Sequence, residues 1–288
     1  MNYRHAFHAG NHCDVLKHAA LALILERLRD KEKPFIILDT HAGRGLYDLE
    51  SQEARRSGEH QGGILKIIND PSPPASLHPY LDAVRRQNPF GGLRWYPGSP
   101  MIARDALRRQ DSAKFCELHP DERVALDRAI GGDSRIRIFD VDGYQSVRAF
   151  LPPKERRGLV LIDPPFEKPG EYERLADAIA DGVARWAGGV YMIWRPLKDE
   201  TGYAAFLDAV APLRLEKSLV VSLAVAGPAA NTLTGSGLHI INPTFGLSDA
   251  LAAALPYLAA RLAAAPGGGW SLVETEKGAA IRNEAGAA

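Results

Sequence analysis

The stretch Leu159-Val160-Leu161-Ile162-Asp163-Pro164-Pro165-Phe166 carries the most chemistry in this chain. Four apolar residues, suited to a buried parallel strand, run into an acid, two prolines and an aromatic ring. The strand delivers the acid to the carboxyl end of a sheet, where open α/β sheets bind ligands. The prolines stiffen the turn and have no N–H of their own, so its carbonyls stay open to donors. The ring offers a flat face on which a base can stack. Acceptors beside a stacking face suit an amino group on a flat heterocycle, as methylation of adenine at its exocyclic nitrogen requires. Asp and Pro also punctuate ordinary strand-to-turn junctions.

Three further acids follow strand-like runs. Phe35-Ile36-Ile37-Leu38 ends in Asp39 and the small-residue turn Thr40-His41-Ala42-Gly43-Arg44-Gly45. Gly43 lets the backbone approach a ligand closely. A carboxylate before such a turn repels phosphate but tolerates a cationic ligand such as S-adenosylmethionine. A tight turn with no ligand also explains this segment. Glu117 closes Lys114-Phe115-Cys116 and can accept from vicinal ribose hydroxyls. Asp142-Gly143 follows Ile136 to Val141, where an acceptor can read an adenine amine. Four strands in series each ending in an acid is hard to attribute to turn chemistry alone.

These residues need a scaffold. Apolar positions at helical spacing over residues 12–29 predict a first helix, and strands are expected near 35–39, 114–118, 136–141, 159–162, 190–194, 217–225 and 238–241. Helical patterns near 100–110, 121–130, 171–187 and 202–211 separate most of them. The fold class is therefore α/β, a Rossmann-like, mostly parallel seven-stranded sheet with helices on both faces. Segment 226–237 is too short for a crossover helix and predicts an antiparallel hairpin at the sheet edge. An acid that holds ribose lies ~20 residues after the glycine turn in a simple βαβ unit. Here Glu117 follows Gly45 by 72 residues. Residues 48–96, with Pro71-Ser72-Pro73-Pro74, are accordingly expected to form an inserted, helical subdomain. The main domain takes 1–47 and 97–276, and residues 277–288 read as a disordered tail.

Bulk properties set bounds. The 288 residues are 45% hydrophobic and 24% charged, which suits a soluble core. Thirty-five basic and 35 acidic residues cancel, so any nucleic-acid face must be local. Arg55-Arg56, Arg85-Arg86, Arg108-Arg109 and Lys154 to Arg157 are candidates, though such runs also occur on solvated helix faces. Cys13 and Cys116 lack metal-ligand spacing and fit a reduced, cytoplasmic compartment. No signal-peptide core or membrane-spanning run is present. The segment Tyr3-Arg4-His5-Ala6-Phe7-His8-Ala9-Gly10-Asn11-His12 is rich in rings and imidazoles, but no zinc pattern or HExxH motif accompanies it, so no metal is expected. Tyr3, His5 and Lys17 are read as facing RNA, and His18 as packing at the cofactor.

The residues also carry a family resemblance. Tyr3 to His12, Asp14-Val15-Leu16-Lys17-His18, Leu38-Asp39-Thr40-His41-Ala42-Gly43, Tyr96-Pro97-Gly98-Ser99-Pro100, Glu117-Leu118-His119-Pro120, Asp142-Gly143 and Ile162-Asp163-Pro164-Pro165 resemble the RlmJ family of 23S ribosomal RNA adenine-N6 methyltransferases, a class I S-adenosylmethionine-dependent group. The match runs nearly from Met1 to Trp270. The resemblance implies cofactor contacts at His18, His41, Ser99, Glu117, Asp142, Gly143 and Asp163, Asp163 as catalytic acceptor, and Tyr3 as a substrate contact. It also implies a small helical insertion after the first strand. The family commonly has Tyr after the two prolines, where this chain has Phe166. Expected partners are 23S ribosomal RNA with an unpaired or flipped adenosine, stacked on Phe166 and bonded to Asp163 and a Pro164-turn carbonyl, with the protein acting as a monomer and no membrane involved. Duplex DNA as substrate, or a non-catalytic RNA-binding protein on the same fold, stays open from the residues alone. A nicotinamide oxidoreductase is disfavoured, since the full GxGxxG is missing and a pyrophosphate would sit beside Asp39.

Overall fold

Apolar runs such as Ile36 to Leu38 and Leu159 to Ile162 send alternate side chains to opposite faces, so both faces of their sheet must be covered. A computed structural model, describing residues 4–229 and 232–288, shows how. Helix α1 (His12–Arg29) leads into β1 (Ile36–Asp39). The short β2 (Leu46–Asp48) opens an excursion through α2 (Gln52–Ser57) and α3 (His78–Arg86) that β3 (Trp95–Pro97) closes. The main succession resumes with α4 (Ser99–Ala106), β4 (Ser112–Cys116), α5 (Pro120–Ile130), β5 (Ile136–Phe139), α6 (Gly143–Phe150) and β6 (Gly158–Ile162). It continues with α7 (Glu171–Arg185), β7 (Val190–Pro196), α8 (Glu200–Val210), β8 (Lys217–Ala224), β9 (Gly235–Ile241), α9 (Leu247–Leu262), β10 (Gly269–Glu276) and β11 (Ala279–Ala287).

The main sheet runs β11-β10-β8-β9-β7-β6-β1-β4-β5. Strands β5, β4, β1, β6 and β7 are mutually parallel, with Asp39 level with Phe115 on one side and Leu161 on the other. The chain leaves β1 toward β4 and later returns to β6 on its other side. That reversal opens a crevice at the carboxyl ends, the usual ligand position. Ile37, Leu159 and Leu161 pack with α1, α4, α5 and α9, while Leu38, Val160 and Ile162 pack with α6, α7 and α8. Helix α1 is buried nearly all round, which explains its weak amphipathic pattern.

The excursion between β2 and β3 accounts for the long gap before Glu117. The two strands pair antiparallel from Leu46↔Pro97 to Asp48↔Trp95, and Gly98 N donates to Gly45 O at 2.7 Å. Removing residues 46–97 from the 72-residue interval leaves 20, the spacing of an uninterrupted unit. Between those strands the segment is helical, and Ile64, Ile67, Tyr80, Leu81 and Val84 join the main core.

Three expectations are corrected. The main sheet has nine strands rather than seven. The β8–β9 hairpin lies inside the sheet, because β10 pairs along β8. Residues 279–287 are not a loose tail but the edge strand β11, paired along β10. The cause is local: Lys277 and Gly278 both have positive φ, 51° and 82°, and Glu276 faces Ala279 across a two-residue loop. Such turns fit the twist of a hairpin. Arg282 then ties the strand to Asp249 on α9 at 2.7 Å. Native-state hydrogen exchange is expected to show protected amides through 279–287, at levels comparable with β10; exchange as fast as in a free peptide contradicts the hairpin.

Candidate active site

The carboxyl ends of β1, β4, β5 and β6 open onto one cavity of about 840 Å³, within the range of small-molecule sites. Glu117, Asp142, Gly143, Asp163, His18, His41, Gly43 and Ser99 all line it, together with His5, Lys17, Pro164 and Phe166 from the expected substrate side. Asp39 does not. It lies beneath the floor, 1% exposed, where one oxygen accepts from Ser99 Oγ at 2.7 Å and the other from His41 N at 3.3 Å. Tyr3 lies outside the described residues.

Backbone amides fix the acids. Glu117 takes Gly43 N on one oxygen at 2.8 Å and His119 N on the other at 2.7 Å. Burial raises its pKa, and those two amides oppose the rise. Asp142 caps α6, accepting from Tyr144 N and Gln145 N at 3.1 Å, while Arg174 holds its second oxygen at 3.0 Å. Gly143 must be glycine, since a Cβ there would stand 2.4 Å from Thr40 O and 2.5 Å from the His41 ring. Gly43 sits at φ 64°, and a Cβ there would meet the Tyr47 hydroxyl at 2.4 Å.

Both cofactor-side histidines are neutral. Burial lowers His41 to about 4 and His18 to about 3. Thr40 Oγ1 donates to Leu161 O, so His41 Nδ1, 2.7 Å from that hydroxyl, is the donor and Nε2 the acceptor. His18 Nδ1 pairs with Tyr96 Oη at 2.7 Å, which meets Tyr80 Oη at 3.0 Å.

On the other side Asp163 is 19% exposed and accepts from Lys17 Nζ at 2.5 Å. Lys17 does not project outward as a solvated lysine would. It is buried on α1, with Asp14 Oδ1 also 2.9 Å from Nζ. Burial alone would lower the lysine pKa, but Asp14 and Asp163 overcome it and hold the ammonium well above its usual value. His5 Nε2 and Gly10 N both reach Asp14 Oδ2 at 2.9 Å. The N-terminal segment is also tied to the insertion, through His8 and Asn11 to Glu59 at 2.8 and 2.9 Å. Phe166, at φ 48°, packs its ring near Tyr172 (centroids 5.0 Å) and Trp194 (6.0 Å).

Asp14, Tyr47, Tyr96, Trp194 and Arg174 were not picked out as site residues from the sequence. Asp14 had a readable signal, an acid three residues before Lys17 in an otherwise apolar helix. Among the described residues no group of three or more His, Cys, Asp or Glu side chains is arranged to hold a metal, and no helix is long and apolar enough to cross a membrane.

Comparison with known proteins decides the family. The family model described as "Ribosomal RNA large subunit methyltransferase D, RlmJ" matches residues 32–274. The chain is 43% identical to the Ribosomal RNA large subunit methyltransferase J of Escherichia coli K12, covering 91% of this chain and 94% of that protein. It is 40% identical to the protein of the same name from Haemophilus influenzae, covering 94% and 98%. This chain belongs to the RlmJ family. The crystal structure of protein LPL1258 from Legionella pneumophila superposes with a TM-score of 0.85 at 32% identity, over 93% of this chain and 98% of that one.

The residues present fit S-adenosylmethionine, the methyl donor of this enzyme family. Three acids on one rim and a fourth beneath the floor suit a ligand with sulfonium and ammonium charges, and the amide-fixed Glu117 suits ribose hydroxyls. Burial, ahead of the opposing Ser99 hydrogen bond, pushes the Asp39 carboxyl up to about 7. Its negative charge is therefore present above pH 7 and lost below it. Affinity for S-adenosylmethionine is expected to weaken several-fold as pH falls through about 7, and Asp39→Asn, which keeps an acceptor for Ser99, is expected to flatten that dependence. Calorimetric titration of both proteins on either side of pH 7 checks this; equal slopes place the titrating group elsewhere.

Proposed function

We propose that this chain methylates the exocyclic N6 amine of an unpaired or flipped adenosine in 23S ribosomal RNA, acting as a single cytoplasmic copy. The reading is carried by one observation: Asp163, Pro164 and Phe166 line the same cavity as Glu117, Asp142 and Ser99. An aromatic face and a carboxylate acceptor thus adjoin a donor set suited to the cofactor. The names of the relatives agree with a ribosomal RNA substrate.

Bound S-adenosylmethionine supplies an electrophilic methyl group on a sulfonium. The chain's own residues prepare the nucleophile. Phe166, braced by Tyr172 and Trp194, stacks the adenine. Asp163 accepts one amine hydrogen and the carbonyl at the Pro164 turn accepts the other, so the nitrogen lone pair is drawn out of conjugation with the ring. As the new C–N bond forms, the methyl group's bond to sulfur would break with its electron pair going to sulfur as a neutral thioether, and the amine proton passes to Asp163 or to water. Much of the rate gain is positional, up to ~7–11 kcal/mol in well-oriented systems. The imidazoles of His5, His8 and His12 line the same cavity and suit stacking and phosphate contact.

Methyl transfer from labelled cofactor to a 23S transcript, followed by mass mapping, is expected to give N6-methyladenosine, with duplex DNA a poor substrate. Asp163→Ala is expected to lose about 10²–10⁴-fold in turnover and to melt at a lower temperature, since the buried Lys17 then keeps only Asp14, while the folded protein still binds the cofactor. Near-normal turnover removes Asp163 from the mechanism. Deletion of residues 1–8 is expected to reduce RNA methylation far more than cofactor affinity; parallel losses argue against a substrate role for that segment.

A further inference from the structure

We propose that Asp14 is a second seat for the Lys17 ammonium, which moves from Asp163 to Asp14 when the substrate amine arrives. This rests on the reading of Asp163 as the amine acceptor. Three observations lead to it. Nζ directs a hydrogen bond to Asp163 Oδ2 at 2.5 Å, so the carboxylate that should receive the substrate amine is paired with a full positive charge and is a weaker acceptor for it. Asp14 Oδ1 forms an ion pair with the same Nζ at 2.9 Å, yet it is buried and no donor is well aligned on it. The opposite oxygen of Asp14 is held by His5 Nε2 and Gly10 N, so the carboxylate is anchored and cannot turn to follow the lysine.

An ammonium has three hydrogens, and a small swing of the flexible lysine stem redirects one of them from one carboxylate to the other. The swing keeps the buried cation paired at each stage, so it avoids the cost of stranding a charge. It also frees Asp163 only when a competing donor is present. A lysine with one partner would instead hold Asp163 against the substrate or leave it at the cost of its own pairing. Asp14 is on this account a positioning residue that acts through Lys17. His18 Nε2, 3.9 Å from Asp14 Oδ1, is beyond hydrogen-bond reach and does not compete for the seat.

The test is a double-mutant cycle with a structural readout. Asp14→Asn leaves a weaker, uncharged seat, so kcat at saturating RNA is expected to fall at least about tenfold, with KM for RNA and calorimetric affinity for S-adenosylmethionine changed less than about twofold. In a Lys17→Met background the same substitution is expected to cost nothing further, because the lysine it serves is gone. A kcat for Asp14→Asn near wild type, or an equal loss in the Lys17→Met background, overturns the proposal. A crystal structure of the wild-type chain with S-adenosylhomocysteine and adenosine decides the matter if the variants fail to fold. Nζ is expected on Asp14, and Nζ still hydrogen-bonded to Asp163 beside the bound base overturns it. Absence of any RNA methylation by the wild type would instead defeat the functional reading itself, a distinct result.

Discussion

The burial of the Lys17 ammonium constrains the whole site. A cation removed from water must be paired, and removing one partner of such a pair costs roughly 3–5 kcal/mol. Here the partners come from distant parts of the chain. Asp14 is one helical turn away, and Asp163 is 146 residues away at the end of β6. The pairing therefore locks α1 against the central sheet where the Asp-Pro-Pro-Phe turn begins. Asp14 carries the constraint outward, because its second oxygen gathers His5 and Gly10. Burial would raise the Asp14 pKa, but the Lys17 ammonium and the hydrogen bond to His5 outweigh it and hold Asp14 well below the usual carboxylate range, so the anchor stays ionised. The N-terminal segment is thus fastened to the same ion cluster as the proposed catalytic acid.

The insertion has a related role. It is spliced at Gly45 and Gly98 without disturbing the β1-to-β4 unit, so the cofactor half keeps the spacing of an uninterrupted fold. Its side chains then reach back into the site. Tyr96 and Tyr80 hold His18 in place, Tyr47 packs edge-on to His5 at 5.1 Å, and Glu59 takes His8 and Asn11. The N-terminal segment, with His5 and His8 in the cavity lining, is therefore built on the insertion as much as on the sheet. A chain lacking residues 46–97 would retain the strand-end acids but not the surface on which residues 4–12 rest.

The parallel half of the fold was legible because its strands are short apolar runs closed by acids, a pattern that burial on both faces enforces. The C-terminal hairpin was not. Ala279 to Ala287 holds few β-forming residues and exposes most of them, so its pairing is set by the Lys277-Gly278 turn and by the edge β10 offers. Lys17 read as an RNA contact because lysines are rarely buried, and its two carboxylates converge on it only in three dimensions. Asp39 read as a lining acid for a similar reason. The sequence places it at a strand end, but His41 N from the following loop and Ser99 Oγ from the start of α4 take its two oxygens and line the cavity in its place.

Phe166 shows how much of the substrate shelf depends on its supports. A bulky residue at φ 48° is strained by about 1–3 kcal/mol and persists only where neighbours over-determine it. Two prolines fix the chain on one side, and Tyr172 and Trp194 fix the ring on the other. The bend sets the ring against Tyr172 of α7 and Trp194 of β7, in the wall of the cavity. The shelf needs no hydroxyl for this, since each brace is an apolar ring contact. Phenylalanine in place of the tyrosine that the resemblance implies thus removes a hydrogen-bonding group and leaves intact the ring face on which the proposed base would stack.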